Sequence, residues 1–194
     1  RIFGIKGSDV KACKVGDYTK WEEFSGTDLD SWAADVYSPG DFTGITAYQD
    51  HVIFFKKDQM WELYGYIPSQ FKILQSAKVG CVDNEGIAEV GGILYFASES
   101  GIKSYSGGFP RDISEKLNFR KIESAKMIGG GLNLYVCING NIYLYDLMKG
   151  IWLPYMSANI ISFGKDEDFI YALGTSGNII QFNSDDGSPV EWSA

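Results

Sequence analysis

Gly91-Gly92-Ile93-Leu94-Tyr95-Phe96-Ala97-Ser98, then a Ser100-Gly101 turn, then Ile102-Lys103-Ser104-Tyr105, is the clearest instance of a pattern that recurs along the chain. The same grammar returns at His51-Val52-Ile53-Phe54-Phe55, at Leu132-Asn133-Leu134-Tyr135-Val136 and at Phe169-Ile170-Tyr171-Ala172-Leu173. A repeat of roughly 35–45 residues marks stacked supersecondary units, each of which needs a neighbour to bury its apolar faces. Each unit reads as strands and tight turns, so the predicted fold is all-β, a β-propeller of four-stranded antiparallel blades.

Gly- and Asp-bearing turns divide the chain into about five units. The first lacks its opening strand and holds strands at 2–6, 10–15 and 18–24; a linker at 25–40 follows. The second runs 44–48, 51–56, 60–64 and 71–75. The third runs 87–90, 93–97, 102–105 and 112–117. The fourth runs 124–128, 132–137, 142–145 and 151–155, with a hairpin turn at Asn139-Gly140-Asn141, where Asn and Gly accept positive φ. The fifth runs 160–163, 169–173, 179–182 and 190–192. Within each unit a very apolar second strand gives way to a polar outer one, as blades with buried inner strands require. Helical periodicity is confined to 28–34 and 112–119, a turn or two each. Residues 1–194 are read as a single propeller domain, a fragment of a longer chain; either its ring has five blades and closes with a strand contributed from elsewhere, or it belongs to a larger ring.

Composition fits this reading. Aromatics make up 15% of the 194 residues, and 23 glycines supply turns. The net charge of −8 and only three arginines, Arg1, Arg111 and Arg120, argue against a surface that tracks nucleic-acid phosphates. The pair Lys56-Lys57 and the segment 111–121 read as solvated strand edges and loops. Cys13, Cys81 and Cys137 are too sparse for a disulfide framework and point to a reducing interior. No apolar run reaches the ~18 residues of a membrane helix, and no signal peptide is visible.

Candidate chemistry is thin. His51, the only histidine, reads as a strand-edge residue beside a turn. The cysteines lie in different units without a C-x-x-C pair, so no zinc site is expected. Acidic clusters at 28–30, 166–168 and 185–186 lack the alternating ligand pattern of a calcium loop and read as turns. Ser184-Asp185-Asp186-Gly187-Ser188 is similar to the Asp-box turn of sialidase propellers but misses its spacing at Gly187 and Trp192. Gly129-Gly130-Gly131 precedes a strand and reads as a blade turn, not a phosphate cradle. No catalytic, cofactor or metal-binding residue is assigned. Trp21, Trp32, Trp152 and Trp192 are the candidate interface anchors, with blade packing as their alternative role.

From Gly44 to Leu117 the sequence resembles a family of tailed-bacteriophage virion proteins of the tail or head–tail region, related to packaged-DNA stabilisation and tail-accessory proteins. Three blocks carry the resemblance: Ile45 to Lys56 followed by Met60-Trp61-Glu62-Leu63-Tyr64-Gly65; Val79-Gly80-Cys81-Val82 leading to Val90 to Phe96; and Ser100 to Tyr105 leading to Ile113-Ser114-Glu115-Lys116-Leu117. Residues 1–5 and 17–21 resemble the family's preceding blade. The resemblance implies a non-enzymatic structural protein of the virion, made in the bacterial host cytoplasm. It also implies contacts with other virion proteins and with copies of itself in a ring, and no cofactor. A glycan- or receptor-binding propeller is the alternative, and a sialidase-like hydrolase comes third.

Overall fold

The computed structural model describes residues 1–166, 169–182 and 189–192, the last four by backbone alone. The chain divides into two compact units, Arg1–Asn84 and Glu85–Ala194.

The first unit holds two antiparallel sheets. One is ordered β1 (Phe3–Lys6), β2 (Asp9–Ala12), β3 (Trp32–Asp35); the other is β4 (Gly44–Tyr48), β5 (His51–Phe55), β6 (Met60–Tyr64), β7 (Lys72–Ala77). The strand predicted at 18–24 does not form. Its place beside β2 is taken by Trp32–Asp35, from the segment predicted as linker and as a possible helical turn. The reason is local: the Asp30 carboxylate gathers the N–H groups of Ser25, Gly26 and Thr27 into a closed loop that delivers Trp32 to the sheet edge. Nor is the opening strand missing. β1 lies beside β4, the innermost strand of the next sheet, and so holds the inner position itself.

The two sheets share a core of Val10, Phe42, Phe54 and Leu63, with Phe3, Trp32, Trp61 and Phe71 packed against it. The connection after β7 crosses back over the β5–β6 turn: Cys81 N–H donates to the Lys56 carbonyl (3.0 Å), and its own carbonyl accepts from Thr43 Oγ1 (2.6 Å). Any side chain at Gly80 would overlap the Lys56 carbonyl, so this crossing requires glycine.

The second unit holds three sheets: β8 (Ile87–Val90), β9 (Ile93–Ser98), β10 (Gly101–Tyr105), β11 (Arg111–Asp112); then β12 (Lys126–Gly130), β13 (Asn133–Ile138), β14 (Asn141–Asp146), β15 (Ile151–Ser157); then β16 (Ile160–Lys165), β17 (Ile170–Gly174), β18 (Ile179–Phe182), β19 (Pro189–Trp192). Each is a simple meander. The second strands are the most apolar and most buried, and β15 is largely exposed, so the apolar-to-polar gradient read in the sequence is present. Leu134 and Val136 are fully buried, each stabilising by about 1.5–3 kcal/mol relative to exposure. Asn139 and Gly140 both take positive φ, 51° and 72°, and close a two-residue hairpin between Ile138 and Asn141.

The outer strand predicted at 112–117 shrinks to Arg111–Asp112, followed by a 3-10 turn at Glu115–Leu117. Ser114 Oγ accepts the Ile102 N–H at 2.8 Å, taking a bond that a longer strand would have supplied. Innermost strands lie side by side, β12 against both β8 and β16. Side chains at Gly129 and Gly130 would run into Val90 and Ile170, so bare backbone at these positions lets the neighbouring sheets approach. No helix among the described residues is long and apolar enough to cross a membrane.

Candidate functional site

A groove of about 340 Å³ lies beside β3, with Phe24, Trp32 and Pro68 as apolar walls and Thr27, Asp28 and Ser69 along its polar rim. The loop 23–31 that forms it is rigidly tied. The Asp30 carboxylate accepts from the Ser25 and Thr27 hydroxyls (3.0 and 2.7 Å) as well as from the three backbone N–H groups above. The Thr27 hydroxyl and N–H, followed by Ser25, hold its carboxyl well below the usual carboxylate range. Ser31 Oγ accepts from Glu23 N–H and donates to the Lys20 carbonyl. The Arg1 guanidinium donates to the carbonyls of Asp30 (2.8 Å) and Asp28 (2.9 Å), and lies 5.5 Å from the Phe71 ring centroid. Asp28 Oδ1 accepts from Ser69 Oγ at 3.0 Å, which fixes the carboxylate on the rim.

The tryptophans proposed as anchors divide between the two units, Trp21 and Trp32 in the first, Trp152 and Trp192 in the second. Trp21 and Trp32 lie on opposite faces of the first sheet. Trp21 covers Gly4, whereas Trp32 stands in register with Ala12 and packs edge-on against Phe71, centroids 5.1 Å apart. Trp152, on β15, leans on Tyr145 (4.9 Å) and donates its indole N–H to the Ile113 carbonyl at 2.7 Å, tying one outer edge to the next. Trp192 pairs in register with Ile179, and its side chain lies outside the described part of the chain. Trp21, Trp32 and Trp152 are half-buried.

His51 begins β5 after a turn, as read, but is buried. It stacks on Tyr64 at 4.6 Å, with Nδ1 3.2 Å from Asp50 Oδ1. Tyr64 donates to Glu62 at 2.6 Å, and this bond to a carboxylate, aided by burial, pushes its phenol up to about 12. Cys13, Cys81 and Cys137 are free thiols and buried; burial raises the Cys137 thiol. Among the described residues no group of three or more His, Cys, Asp or Glu could hold a metal ion. Asp185, Asp186 and the rest of the Asp-box-like turn lie outside the described residues, as do Glu167 and Asp168.

Lys56 corrects the sequence reading. Lys57 is solvated, but Lys56 is 1% exposed; its ammonium donates to the Ser38 carbonyl at 2.6 Å and sits 5.0 Å from the Phe42 centroid. It pins the loop that presents Tyr37, which is 93% exposed and has φ of 51°. Nothing in the local sequence distinguishes the two lysines. The groove was equally invisible, because Ser69 stands 41 residues from Asp28.

No family model matches the chain, and no curated protein sequence matches it. Solved structures do. BamB from Moraxella catarrhalis is similar over 98% of this chain and 61% of its own length, with a TM-score of 0.61 and 15% identity. The computationally designed protein Ika8 is similar over 98% of this chain and 60% of its own, with a TM-score of 0.57 and 12% identity. PorZ of Porphyromonas gingivalis, an essential bacterial surface component of the type-IX secretion system, is similar over 78% of this chain and 22% of its own, with a TM-score of 0.56 and 13% identity. This chain therefore spans less than two thirds of each. At these identities the likeness carries the fold and nothing finer. Consecutive antiparallel meanders, glycine-lined inner strands and these neighbours together make the chain a β-propeller.

Proposed function

We propose that this propeller is a non-enzymatic scaffold that works through protein–protein contact. The observation that carries the reading is the open face of the last sheet. In β16–β18 the register aligns Ser162, Leu173 and Ile179, and next to them Gly164, Tyr171 and Gln181. No charge falls on these positions, yet Leu173 and Ile179 are 39% and 47% exposed, and Ile161 at the neighbouring bulge is 49% exposed. The opposite face of the same sheet packs Ile170, Ala172, Ile180 and Phe182 into a core. An uncharged, apolar sheet face in water favours coverage by another protein surface.

The finer reading places the protein in a bacteriophage virion, as a tail or head–tail connector component in contact with other virion proteins and further copies of itself. Its support is the resemblance of residues 44–117; BamB and PorZ are not phage proteins. Light scattering tests the scaffold. The protein forms concentration-dependent assemblies, and the double variant Leu173→Lys/Ile179→Lys stays monomeric. A wild-type chain that is monomeric at every concentration overturns the proposal. Mass spectrometry of purified phage particles tests the virion: the protein must be found in the particle fraction.

A further inference from the structure

We propose that the groove beside β3 is a docking site for an arginine side chain of a protein partner. The groove shares no residue with the open face of the last sheet, and what points to its occupant is charge complementarity. Asp28 and Asp30 both line the groove, and no lining residue is cationic. Asp30 is 4% exposed and stays ionised, because every hydrogen bond to its carboxylate favours the charged form. Its partners there are neutral hydroxyls and N–H groups, which satisfy the oxygens without cancelling the charge.

Asp28 Oδ1 is held by Ser69, whereas Oδ2 takes no hydrogen bond from any described residue and is free to accept one. A neighbouring cation, Arg1, donates from its two terminal nitrogens to the backbone carbonyls of Asp30 and Asp28, not to a carboxylate. One guanidinium is therefore already held by this loop, through carbonyl acceptors and against an aromatic ring, Phe71. The groove offers the same elements to a second: a carboxylate acceptor on the rim and the rings of Phe24 and Trp32 in its walls. Phe24 is 61% exposed and costs little to cover.

Arginine suits this arrangement better than lysine. Its planar, weakly hydrated guanidinium stacks on aromatic faces and meets a carboxylate with parallel N–H groups. Arginine is also enriched among residues that anchor protein interfaces. A neutral sugar could stack on the same rings but would gain little from two negative charges.

Two-dimensional amide NMR titration of the full chain tests the assignment. The probes are N-acetyl-arginine amide, the neutral isostere N-acetyl-citrulline amide, N-acetyl-lysine amide and methyl glucoside. Arginine amide shifts the resonances of residues 24–33 and 68–69, and binds about fivefold or more tightly than citrulline amide, the margin expected of a cation on an aromatic-carboxylate site. Asp28→Asn and Phe24→Ala, both at exposed positions, each weaken it severalfold, whereas Glu115→Gln, a loss of one negative charge in the second unit, does not.

Equal binding of citrulline amide, an unchanged affinity in Asp28→Asn, tighter binding of lysine amide, tighter binding of methyl glucoside, or no binding by arginine amide overturns the proposal. Loss of assembly in Leu173→Lys/Ile179→Lys bears only on the sheet face, so the two readings fail separately.

Discussion

The first and last sheets each have one face that no sheet of the same unit covers, and they treat it in opposite ways. In the first sheet the uncovered face carries Gly4, Lys6, Asp9, Lys11, Ala33 and Asp35 by register. The connection from β2 to β3, residues 13–31, does not close as a hairpin like residues 139–140. It folds back, lays Trp21 over Gly4 and brings Glu22 to Lys11 at 3.1 Å. Lys14 and Lys20 both pair with Glu23 and brace the same segment. In the last sheet no such cover is found among the described residues, and its face shows Leu173 and Ile179 to solvent. A stacked array needs polar or lidded faces where stacking is to stop, and apolar ones where it is to continue. In the proposed scaffold the first sheet serves as an end and the last as a joint.

The largest effect is expected where faces are interleaved, neither capped nor open. Gly129 lies against Val90 with no room for a Cβ. Gly129→Val overpacks this contact and should lower stability by about 3 kcal/mol or more, read as a fall in the urea midpoint with a retained m-value. A wild-type midpoint would show that bare backbone at β12 is not what admits the neighbouring sheet.

The cap comes next. Trp21 is half-buried, so Trp21→Ala should cost about 1–2 kcal/mol from lost apolar burial and accelerate hydrogen exchange in residues 3–6 and 9–12. If exchange there does not change, the loop is an ornament and not a cover.

At the joint the same kind of measurement should show almost nothing. Leu173→Lys/Ile179→Lys removes surface that the isolated chain leaves in water, so the urea midpoint measured at low concentration should move by no more than about 0.5 kcal/mol equivalent, even as assembly is lost. A large destabilisation would mean that the face is already packed within the single chain.

This contrast was only half legible in the sequence. The repeat, the meanders and the Asn139-Gly140 turn were readable because turn chemistry and apolar alternation are local properties. The joint was readable in principle, since Leu173 and Ile179 alternate with Ala172 and Ile180, but which face finds a neighbour is not a local property. The cap was misread outright. Tyr18 to Phe24 has the aromatic content of a strand, and Trp32 to Asp35 is short, contains no β-branched residue and follows a run rich in Asp, Ser and Gly. What reverses the assignment is one carboxylate, Asp30, whose five hydrogen bonds fold the segment before the strand. The groove beside β3 was hidden for the same reason: its rim joins Asp28 to Ser69 across the fold.

The smallest effect separates the two ends by pH. The cap is electrostatic. The lysines at 14 and 20 hold the Glu23 carboxyl below its ordinary value, and Thr27 and Ser25 do the same for Asp30. A carboxyl whose folded pKa is depressed contributes stability that is present above its unfolded value, near 4, and is lost as pH falls through the folded value. The joint carries no carboxyl or amino side chain at its register positions. Acidification from pH 7 toward pH 3 should therefore lower the protection factors of residues 14–31, taken against the intrinsic exchange rate at each pH, before those of residues 170–174. Glu23→Gln should remove part of that pH dependence at neutral cost to the last sheet. If both segments loosen at the same pH, the cap draws no stability of its own from these carboxylates, and the first sheet ends in the way the last one does.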